Sequence, residues 1–284
     1  MRSALDLQQT INTQITAALQ EDIGSGDLTA ALIPAERQGR ATVITREAMV
    51  ICGQPWVDAV FRHVDPKVRT DWRLQEGMLA KAGQTLFSIE GPARALLTGE
   101  RTALNFLQTL SATATVTRRY VDAIKGTKTV IVDTRKTLPG LRLAQKYAVK
   151  IGGGVNHRIG LYDGVLIKEN HIMAVGGVVQ ALQFAQKNTP VGVSIQIEVE
   201  TLAQLRDALD AGAKMILLDN FDLERLREAV KLNGGRAKLE GSGGVNLETV
   251  RAMAETGVDR ISIGALTKDI KAIDLSMRFN MDIK

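Results

Sequence analysis

The 284-residue sequence contains one cysteine and three histidines, and only 4% of its residues are aromatic. A single cysteine, Cys52, excludes an intramolecular disulfide, and we expect it to be a buried thiol because no local signature of a catalytic cysteine surrounds it. The histidine and cysteine spacings do not fit a zinc site. Few aromatic residues, and no block rich in lysine and arginine, argue against nucleic acid as a partner.

Long apolar runs are also missing. No stretch approaches the roughly 20 apolar residues that cross a bilayer, and the first twenty residues lack the cationic start and apolar block of a secretory signal. We therefore expect no membrane partner and a cytoplasmic location. The remaining composition is that of a globular protein, 45% hydrophobic and 24% charged, and its net charge of +5 favours anionic partners.

From residue 129 onward, short β-branched runs alternate with helical stretches. This alternation indicates an α/β fold with parallel strands and crossover helices. Nearly every predicted strand ends in polar residues, and a barrel gathers these ends around one mouth, so we favour a TIM-like α/β barrel over a doubly wound sheet. Six strands instead of eight indicate an incomplete parallel barrel. The predicted strands are 129–134, 165–169, 193–200, 215–220, 237–240 and 260–264.

The first hundred residues do not follow this alternation and predict a separate α+β domain. Residues 41–46 and 49–52 have the pattern of two strands paired with each other. Residues 55–62 have the pattern of a helix, and residues 77–91 that of further strands around turns. A long helical stretch, 93–125, connects this part to the barrel.

These patterns divide the chain into three segments. Residues 1–113 form the N-terminal α+β sandwich domain with its connecting helix, and residues 114–266 form the catalytic barrel. Residues 267–284 are too short to stand alone, and we expect them to pack back on the N-terminal domain.

Cations gather where the first two barrel strands end. Arg135 and Lys136 follow the first strand and Lys168 lies at the polar end of the second, so a barrel points them into its mouth. Guanidinium groups pair with carboxylates and phosphates through parallel donors, and lysine supplies a compact charge. The pattern predicts an anion-binding site, with structural ion pairing as the alternative. Other cations, spaced four apart, fit a solvated helix face: Arg142, Lys146 and Lys150.

Glycine-rich segments accompany these cations. "GGGVNHR" ends in His157 and Arg158, where backbone and side-chain donors converge. "EGSGGV", residues 240–245, follows a strand and precedes a helix, which suits a phosphate cradle. "ISIGALT" contains Gly264, and barrels often bind phosphate at the loops after their last two strands. Ordinary loops and tight turns are the alternative.

Two carboxylate side chains lie at the ends of successive predicted strands. Glu198 and Asp219 supply hard oxygen ligands beside the predicted phosphate site, which suggests Mg²⁺ held partly through substrate and water. Ion pairing with Lys168, or with another cation of the mouth, is the alternative.

Seven segments, in order along nearly the whole chain, resemble the quinolinate phosphoribosyltransferase family. "DTRKTLPGLRLAQKYAV" is long enough to be highly specific. The others are "EDIGSGDLT", "GERTALNFL", "GGGVNHRIGLYDGVLIKENHI", "IEVE", "LLDN" and "GSGGV". Ile151 stands where many relatives have cysteine, and Glu169 where aspartate is common; neither change removes a charge that the mechanism needs.

The resemblance implies a homodimer of two-domain subunits, each with an open-faced sandwich domain and an incomplete α/β barrel. It implies an enzyme of NAD biosynthesis that joins quinolinate to phosphoribosyl pyrophosphate. The products are nicotinate mononucleotide, pyrophosphate and carbon dioxide.

The resemblance also implies roles for individual residues. Lys136 and His171 lie toward the phosphoribosyl and pyrophosphate groups, and Glu198 and Asp219 bind the ribose hydroxyls and magnesium. Thr134 is a further substrate-binding residue. The quinolinate carboxylates are held by Arg135, His157, Arg158, Lys168 and, from the neighbouring subunit, Arg101. The catalytic residues are Lys136, Lys168, Glu198 and Asp219. The glycine segments contribute Ser242, Gly243, Gly244, Val245, Gly264, Ala265 and Leu266, with the glycines toward the 5-phosphate.

Other functions stay open at this point. A related pyrophosphorylase associated with molybdenum transport and the nicotinate-specific transferases are enzymatic alternatives, but Arg101, Arg135 and Arg158 favour a substrate with two carboxylates. A phosphate-ligand sensor or a nucleic-acid scaffold would bind without turnover. The sequence does not decide whether Arg118 and Arg119 serve the site or the helix surface.

Overall fold

The computed structural model describes the backbone of residues 4–280 and the side chains of residues 7–279. Residues 1–3 and 281–284, which belong to the first and last predicted segments, lie outside the described residues. In the described part of the chain no helix is long and apolar enough to cross a membrane.

The chain forms two compact units. The first contains the residues up to Val116, Leu138–Gly153 and the residues from Asp269 onward, and the second contains Thr117–Thr137 and Gly154–Lys268. The domain boundaries at residues 113 and 266 stay predictions.

An antiparallel sheet is the framework of the first unit. Its elements are α1 (Ala4–Ile23), a 3-10 helix (Ala30–Leu32), β1 (Gln38–Thr45), β2 (Met49–Val50), α2 (Gln54–Val64), β3 (Arg69–Trp72), β4 (Leu79–Ala80), β5 (Thr85–Pro92), α4 (Arg142–Ile151) and β12 (Leu275–Asn280). Helix α3 (Ala93–Ala123) contributes residues to both units. The strand order is β12-β1-β5-β3. The predicted helices at 55–62 and 93–125 are confirmed as α2 and α3.

The four-stranded sheet buries one of its faces. Along β1, buried residues alternate with more exposed ones, which is the pattern of a sheet with one face on the core. The buried set includes Ala41 and Val43, and it packs in one cluster with Ile11 and Ile15 of α1 and Trp56 of α2. The open-faced sandwich is therefore confirmed.

The predicted pairing of residues 41–46 with 49–52 is wrong. β1 already has β5 on one edge and β12 on the other, so β2 pairs with β4 instead. Two backbone donors in and just after β2 are satisfied by α3, because the N–H groups of Val50 and Cys52 donate to Thr115 Oγ1 at 2.8 Å and to Ser111 Oγ at 3.0 Å. Cys52 is fully buried, as predicted.

The second unit is a six-stranded parallel sheet with helices between the strands. Its elements are β6 (Val130–Val132), β7 (Gly164–Ile167), α5 (Glu169–Val175), α6 (Val178–Asn188), β8 (Ser194–Val199), α7 (Leu202–Asp210), β9 (Met215–Asp219), α8 (Leu223–Asn233), β10 (Lys238–Ser242), α9 (Val250–Glu255), β11 (Arg260–Ser262) and α10 (Ala265–Lys268). All six predicted strands are confirmed.

The strand order is that of an interrupted barrel. The order β6-β11-β10-β9-β8-β7 places the first strand beside the last, as circular closure requires. Within residues 4–280, β6 and β7 share no ladder, so the wall is open between them. The segment that follows α4 adds one parallel bridge beside β6, between Val132 and Val155. The predicted incomplete barrel is confirmed.

Candidate active site

A cavity of about 420 Å³ lies at the carboxyl ends of the barrel strands. Side chains two residues apart on a strand point to the same face, so strand after strand contributes pairs such as Leu217 and Asp219 of β9 or Glu240 and Ser242 of β10. The residues that line the cavity are Thr134, Arg135, Lys136, His157, Arg158, Leu166, Lys168, Glu198, Leu217, Asp219, Glu240, Ser242 and Ser262.

Nine of the predicted site residues line this one cavity. They come from five strand ends and from the segment that ends in Arg158. Their roles toward a substrate stay predictions. The nine are Thr134, Arg135, Lys136, His157, Arg158, Lys168, Glu198, Asp219 and Ser242.

The other predicted site residues do not line the cavity. Gly243 directly follows Ser242, and Gly264 lies against the cavity wall, because a Cβ atom there would be 3.2 Å from Lys136 Cδ. Arg101 is exposed on α3 in the first unit. Leu266 has a fully buried side chain, which leaves only its backbone for a ligand. The residues outside the lining are Arg101, His171, Gly243, Gly244, Val245, Gly264, Ala265 and Leu266.

Four lining residues were missed by the sequence prediction of the site. Leu166, Leu217 and Glu240 each lie two residues before a predicted site residue, and Ser262 lies two before Gly264. The two-residue period of a strand was therefore the signal that could have found them.

Two guanidinium groups share the cavity. Arg158 is partly buried, and its Nη1 donates to the carbonyl oxygen of Gly164 at 3.0 Å. Burial lowers the pKa of Arg158, the neighbouring charge of Arg135 lowers it further, and Asp163 raises it in part. The cavity thus holds like charges that repel each other until an anion lies between them.

Lys168 joins these cations from the start of α5. Its Nζ lies 3.7 Å from Glu198 Oε2, so the ion pair weighed from the sequence is present. The backbone N–H of Lys168 donates to Nδ1 of His171 at 3.0 Å. A neutral His171 therefore carries its proton on Nε2, and this exposed side chain has a donor to offer.

Glu198 is a carboxylate of the cavity whose pKa is shifted by its surroundings. Burial raises its pKa above the usual range, Lys168 opposes this shift, and the charges of Asp219 and Glu200 add to it. A carboxyl group with a raised folded-state pKa stabilises the protein at low pH, and this contribution is lost as the pH rises through that pKa.

We expect Glu198→Gln to raise the free energy of unfolding by more at about pH 7 than at about pH 4. The buried surroundings of Glu198 disfavour its charged form, and the glutamine removes this charge. The gain is larger at pH 7 because more of the Glu198 carboxyl group is ionised there than at pH 4. Urea unfolding at both pH values measures the difference. Gln186→Leu, at an exposed position of α6, removes no titratable group and is the control, so it should change stability equally at both pH values. A larger gain at pH 4 would contradict the prediction.

Comparisons with known proteins agree with this geometry. The N-terminal domain model of quinolinate phosphoribosyl transferase matches residues 27–111, and the C-terminal domain model matches residues 113–278. The nicotinate-nucleotide pyrophosphorylase [carboxylating] of Mycobacterium leprae is 43% identical and the alignment covers 93% of this chain and 95% of that protein. The mitochondrial quinolinate phosphoribosyltransferase [decarboxylating] 2a of Nicotiana tabacum is 39% identical over 94% of this chain and 81% of its own length.

A solved structure leads to the same conclusion. The nicotinate-nucleotide pyrophosphorylase of Francisella tularensis superposes with a TM-score of 0.93 and 44% identity, over 96% of this chain and 97% of that one. Sequence, barrel architecture and the lining of the cavity therefore point the same way, and the chain belongs to the quinolinate phosphoribosyl transferase family.

Proposed function

We propose that the chain transfers the phosphoribosyl group of phosphoribosyl pyrophosphate to quinolinate with loss of carbon dioxide, giving nicotinate mononucleotide and pyrophosphate for NAD biosynthesis. The observation that carries the proposal is the charge of the cavity. Four cations from three segments line it, which matches a dicarboxylate and a sugar polyphosphate bound together. These cations are Arg135, Lys136, Arg158 and Lys168.

Quinolinate binds at the arginine end of the cavity in this proposal. Arg135, Arg158 and Lys168 hold its two carboxylates, with His157 beside them. Arg101 of a second subunit completes the site, so the active form is a homodimer. Lys136 and His171 face the pyrophosphate, and the segments at Ser242–Gly244 and 264–266 hold the 5-phosphate through backbone N–H groups.

Glu198 and Asp219 are the proposed magnesium ligands. Among the described residues no cluster of three or more histidine, cysteine or carboxylate side chains is arranged to hold a metal. Two carboxylates at the ends of adjacent strands fit Mg²⁺, which keeps several waters and binds largely through substrate phosphates. When bound, this ion neutralises charge that develops on the pyrophosphate.

The protein contributes positioning and electrostatics to the reaction. As the bond from the ribose carbon to pyrophosphate breaks, that carbon gains positive charge, and the pyridine nitrogen must already be aimed at it. Lys136 stabilises the leaving anion. The pyridine nitrogen becomes positively charged when it bonds to the ribose carbon. It therefore stabilises the electron pair left on the adjacent ring carbon when carbon dioxide departs. That carbon then takes up a proton, and no covalent enzyme intermediate is needed.

The assay follows carbon dioxide from quinolinate labelled in its 2-carboxylate. We expect release that depends on both phosphoribosyl pyrophosphate and magnesium. Nicotinate is offered in parallel, and we expect slower product formation from it. Faster product formation from nicotinate would overturn the choice of substrate, and binding without turnover would indicate a sensor.

We expect Gly243→Ala to weaken the proposed phosphate site and the fold together. Gly243 has φ +106°, and a methyl group there would collide with the side chain of Asn220. The backbone N–H of Asn220 donates to the carbonyl oxygen of Ser242 at 3.0 Å, which fixes this contact. The strain costs about 1–3 kcal/mol of unfolding free energy, and KM for phosphoribosyl pyrophosphate should rise.

Gly212→Ala is the matched control for this substitution. Gly212 also has a positive φ, +81°, but nothing lies within 4 Å of its added Cβ atom. It should lose stability without a change in KM. Urea unfolding and initial rates measure both effects, and an unchanged KM in Gly243→Ala would count against the phosphate assignment.

A further inference from the structure

His157 has a protein partner on each ring nitrogen. The backbone N–H of Arg158 donates to Nδ1 at 2.8 Å, so Nδ1 is an acceptor and carries no proton in the neutral ring. The proton is then on Nε2, which lies 2.9 Å from Gln196 Oε1. The backbone is fixed as well, because the N–H of His157 donates to Asp133 Oδ1 at 2.8 Å.

The amide of Gln196 is oriented by Glu240. A carboxylate only accepts hydrogen bonds, so the nitrogen of Gln196 must face it, and Nε2 of Gln196 donates to Glu240 Oε2 at 3.1 Å. The amide oxygen therefore faces His157 and accepts its Nε2–H. Gln196 is 3% exposed and Glu240 is 1% exposed, so water competes little with this chain of hydrogen bonds.

Glu240 has a second, unsatisfied oxygen on the same side. Its Oε1 is buried, has no hydrogen-bond partner in the described part of the chain, and lies 3.7 Å from Nε2 of His157. A buried carboxylate oxygen without a partner is costly, and a nearby N–H dipole offsets part of that cost. Oε2 of Glu240 thus orients the amide oxygen of Gln196 toward Nε2 of His157, and Oε1 lies near the same N–H group. Both oxygens of Glu240 favour an imidazole that carries its proton on Nε2.

We propose that Gln196 and Glu240 are positioning residues that hold the imidazole of His157 with both ring nitrogens turned into the protein, so that the ring presents carbon to the bound ligand. This changes the role expected of His157. Its side chain then packs against the pyridine ring and helps to aim the ring nitrogen, while Arg135, Arg158 and Lys168 hold the carboxylates.

The first test is a spectroscopic one. A ring N–H proton gives a proton NMR signal only when burial and hydrogen bonding slow its exchange with water. His63 and His171 are exposed, so we expect one slowly exchanging imidazole N–H in the unaltered protein, on Nε2. His157→Asn should remove it. The absence of this signal in the unaltered protein would overturn the proposal.

Three variants separate positioning from a structural role. Gln196→Leu/Glu240→Leu removes both members of the chain and leaves neither a buried charge nor an unpaired amide. We expect it to fold, to lose the N–H signal and to lose about 10²-fold in kcat/KM, the cost of a misplaced reacting group. Glu240→Gln keeps an acceptor for Gln196 and should keep the signal and most of the activity. Gln186→Leu, an exposed glutamine on α6, is the control and should change neither.

Two results would reject the assignment. The N–H signal could persist in the double variant, or Glu240→Gln could lose as much activity as the double variant, which would show that the charge of Glu240 matters and the hydrogen-bond chain does not. The activity readout rests on the proposed function, but the N–H signal needs no substrate. Failure of the reaction in the unaltered protein and failure of this positioning role are therefore distinguishable.

Discussion

We expect Arg158→Ala to lower kcat/KM for quinolinate by a factor of about 10²–10³. Removing one member of a buried, hydrogen-bonded charge pair costs about 2–5 kcal/mol because the other charge stays buried without a partner, and the substrate carboxylate would be that charge. Arg158→Lys should restore little, since a lysine does not provide the paired donors of a guanidinium group. Initial rates with quinolinate varied at saturating phosphoribosyl pyrophosphate measure the loss.

The same substitution should leave the fold intact. Arg158 and Arg135 repel each other in the cavity, so removing one charge relieves repulsion and offsets the lost bond to Gly164. We expect the midpoint of thermal unfolding to change little while activity collapses. Arg251→Ala is a suitable control, because Arg251 pairs with Glu255 on the exposed face of α9, and it should keep full activity. A parallel loss of stability and activity in Arg158→Ala would mean that the arginine is structural.

Mixing two inactive variants should restore activity if each site uses two subunits. In the proposed homodimer, Lys136 acts in its own subunit and Arg101 acts in the neighbour's site. Arg101→Ala and Lys136→Ala should each be almost inactive alone. A mixed dimer then has one site with both residues intact and one site with neither. Random exchange makes about half of the dimers mixed, so about a quarter of the activity should return.

Successive affinity purification on the two tags of differently tagged variants would isolate and verify the mixed dimer. The control mixes Lys136→Ala with Lys168→Ala, because both residues act within one subunit and their mixed dimer has no intact site. No recovery in a verified mixed dimer of the first pair would refute the shared site. Equal recovery in both mixtures would show that the recovery does not depend on Arg101 crossing between subunits.

The barrel could be predicted because its signals are local. Each strand of the second unit is a short β-branched run that ends in polar residues, and parallel order follows from the helices between the runs. The cations were found for the same reason, since Arg135, Lys136 and Lys168 directly follow strands. Glu240 and Gln196 each lie two residues before a predicted site residue, so the strand period indicates that they face the cavity, but the hydrogen bond between them joins two strands and no local pattern predicts it.

In the first unit, local sequence patterns do not predict which strands pair. β1 pairs with β5 and with β12, which lies more than 200 residues later in the chain, and no short-range pattern announces that partner. Lys146 is a second case, since its spacing from Arg142 and Lys150 suggested a solvated helix face, yet its side chain is 1% exposed. A spacing of four places charges on one face of a helix but does not say what covers that face.

Because the barrel wall is open between β6 and β7 in the part of the chain that the structure describes, these two strands make no ladder hydrogen bonds with each other. The opening also allows the residues between them to line the cavity. A continuous wall would commit the polypeptide between these strands to ladder geometry, with every second side chain turned away from the interior. Here the stretch adds one isolated bridge, at Val155, and no strand to the six-stranded sheet, and Arg135, Lys136, His157 and Arg158 all come from it. The gap between β6 and β7 is thus the source of most of the positive groups of the cavity, and we expect that added strands closing the barrel would remove these side chains from it.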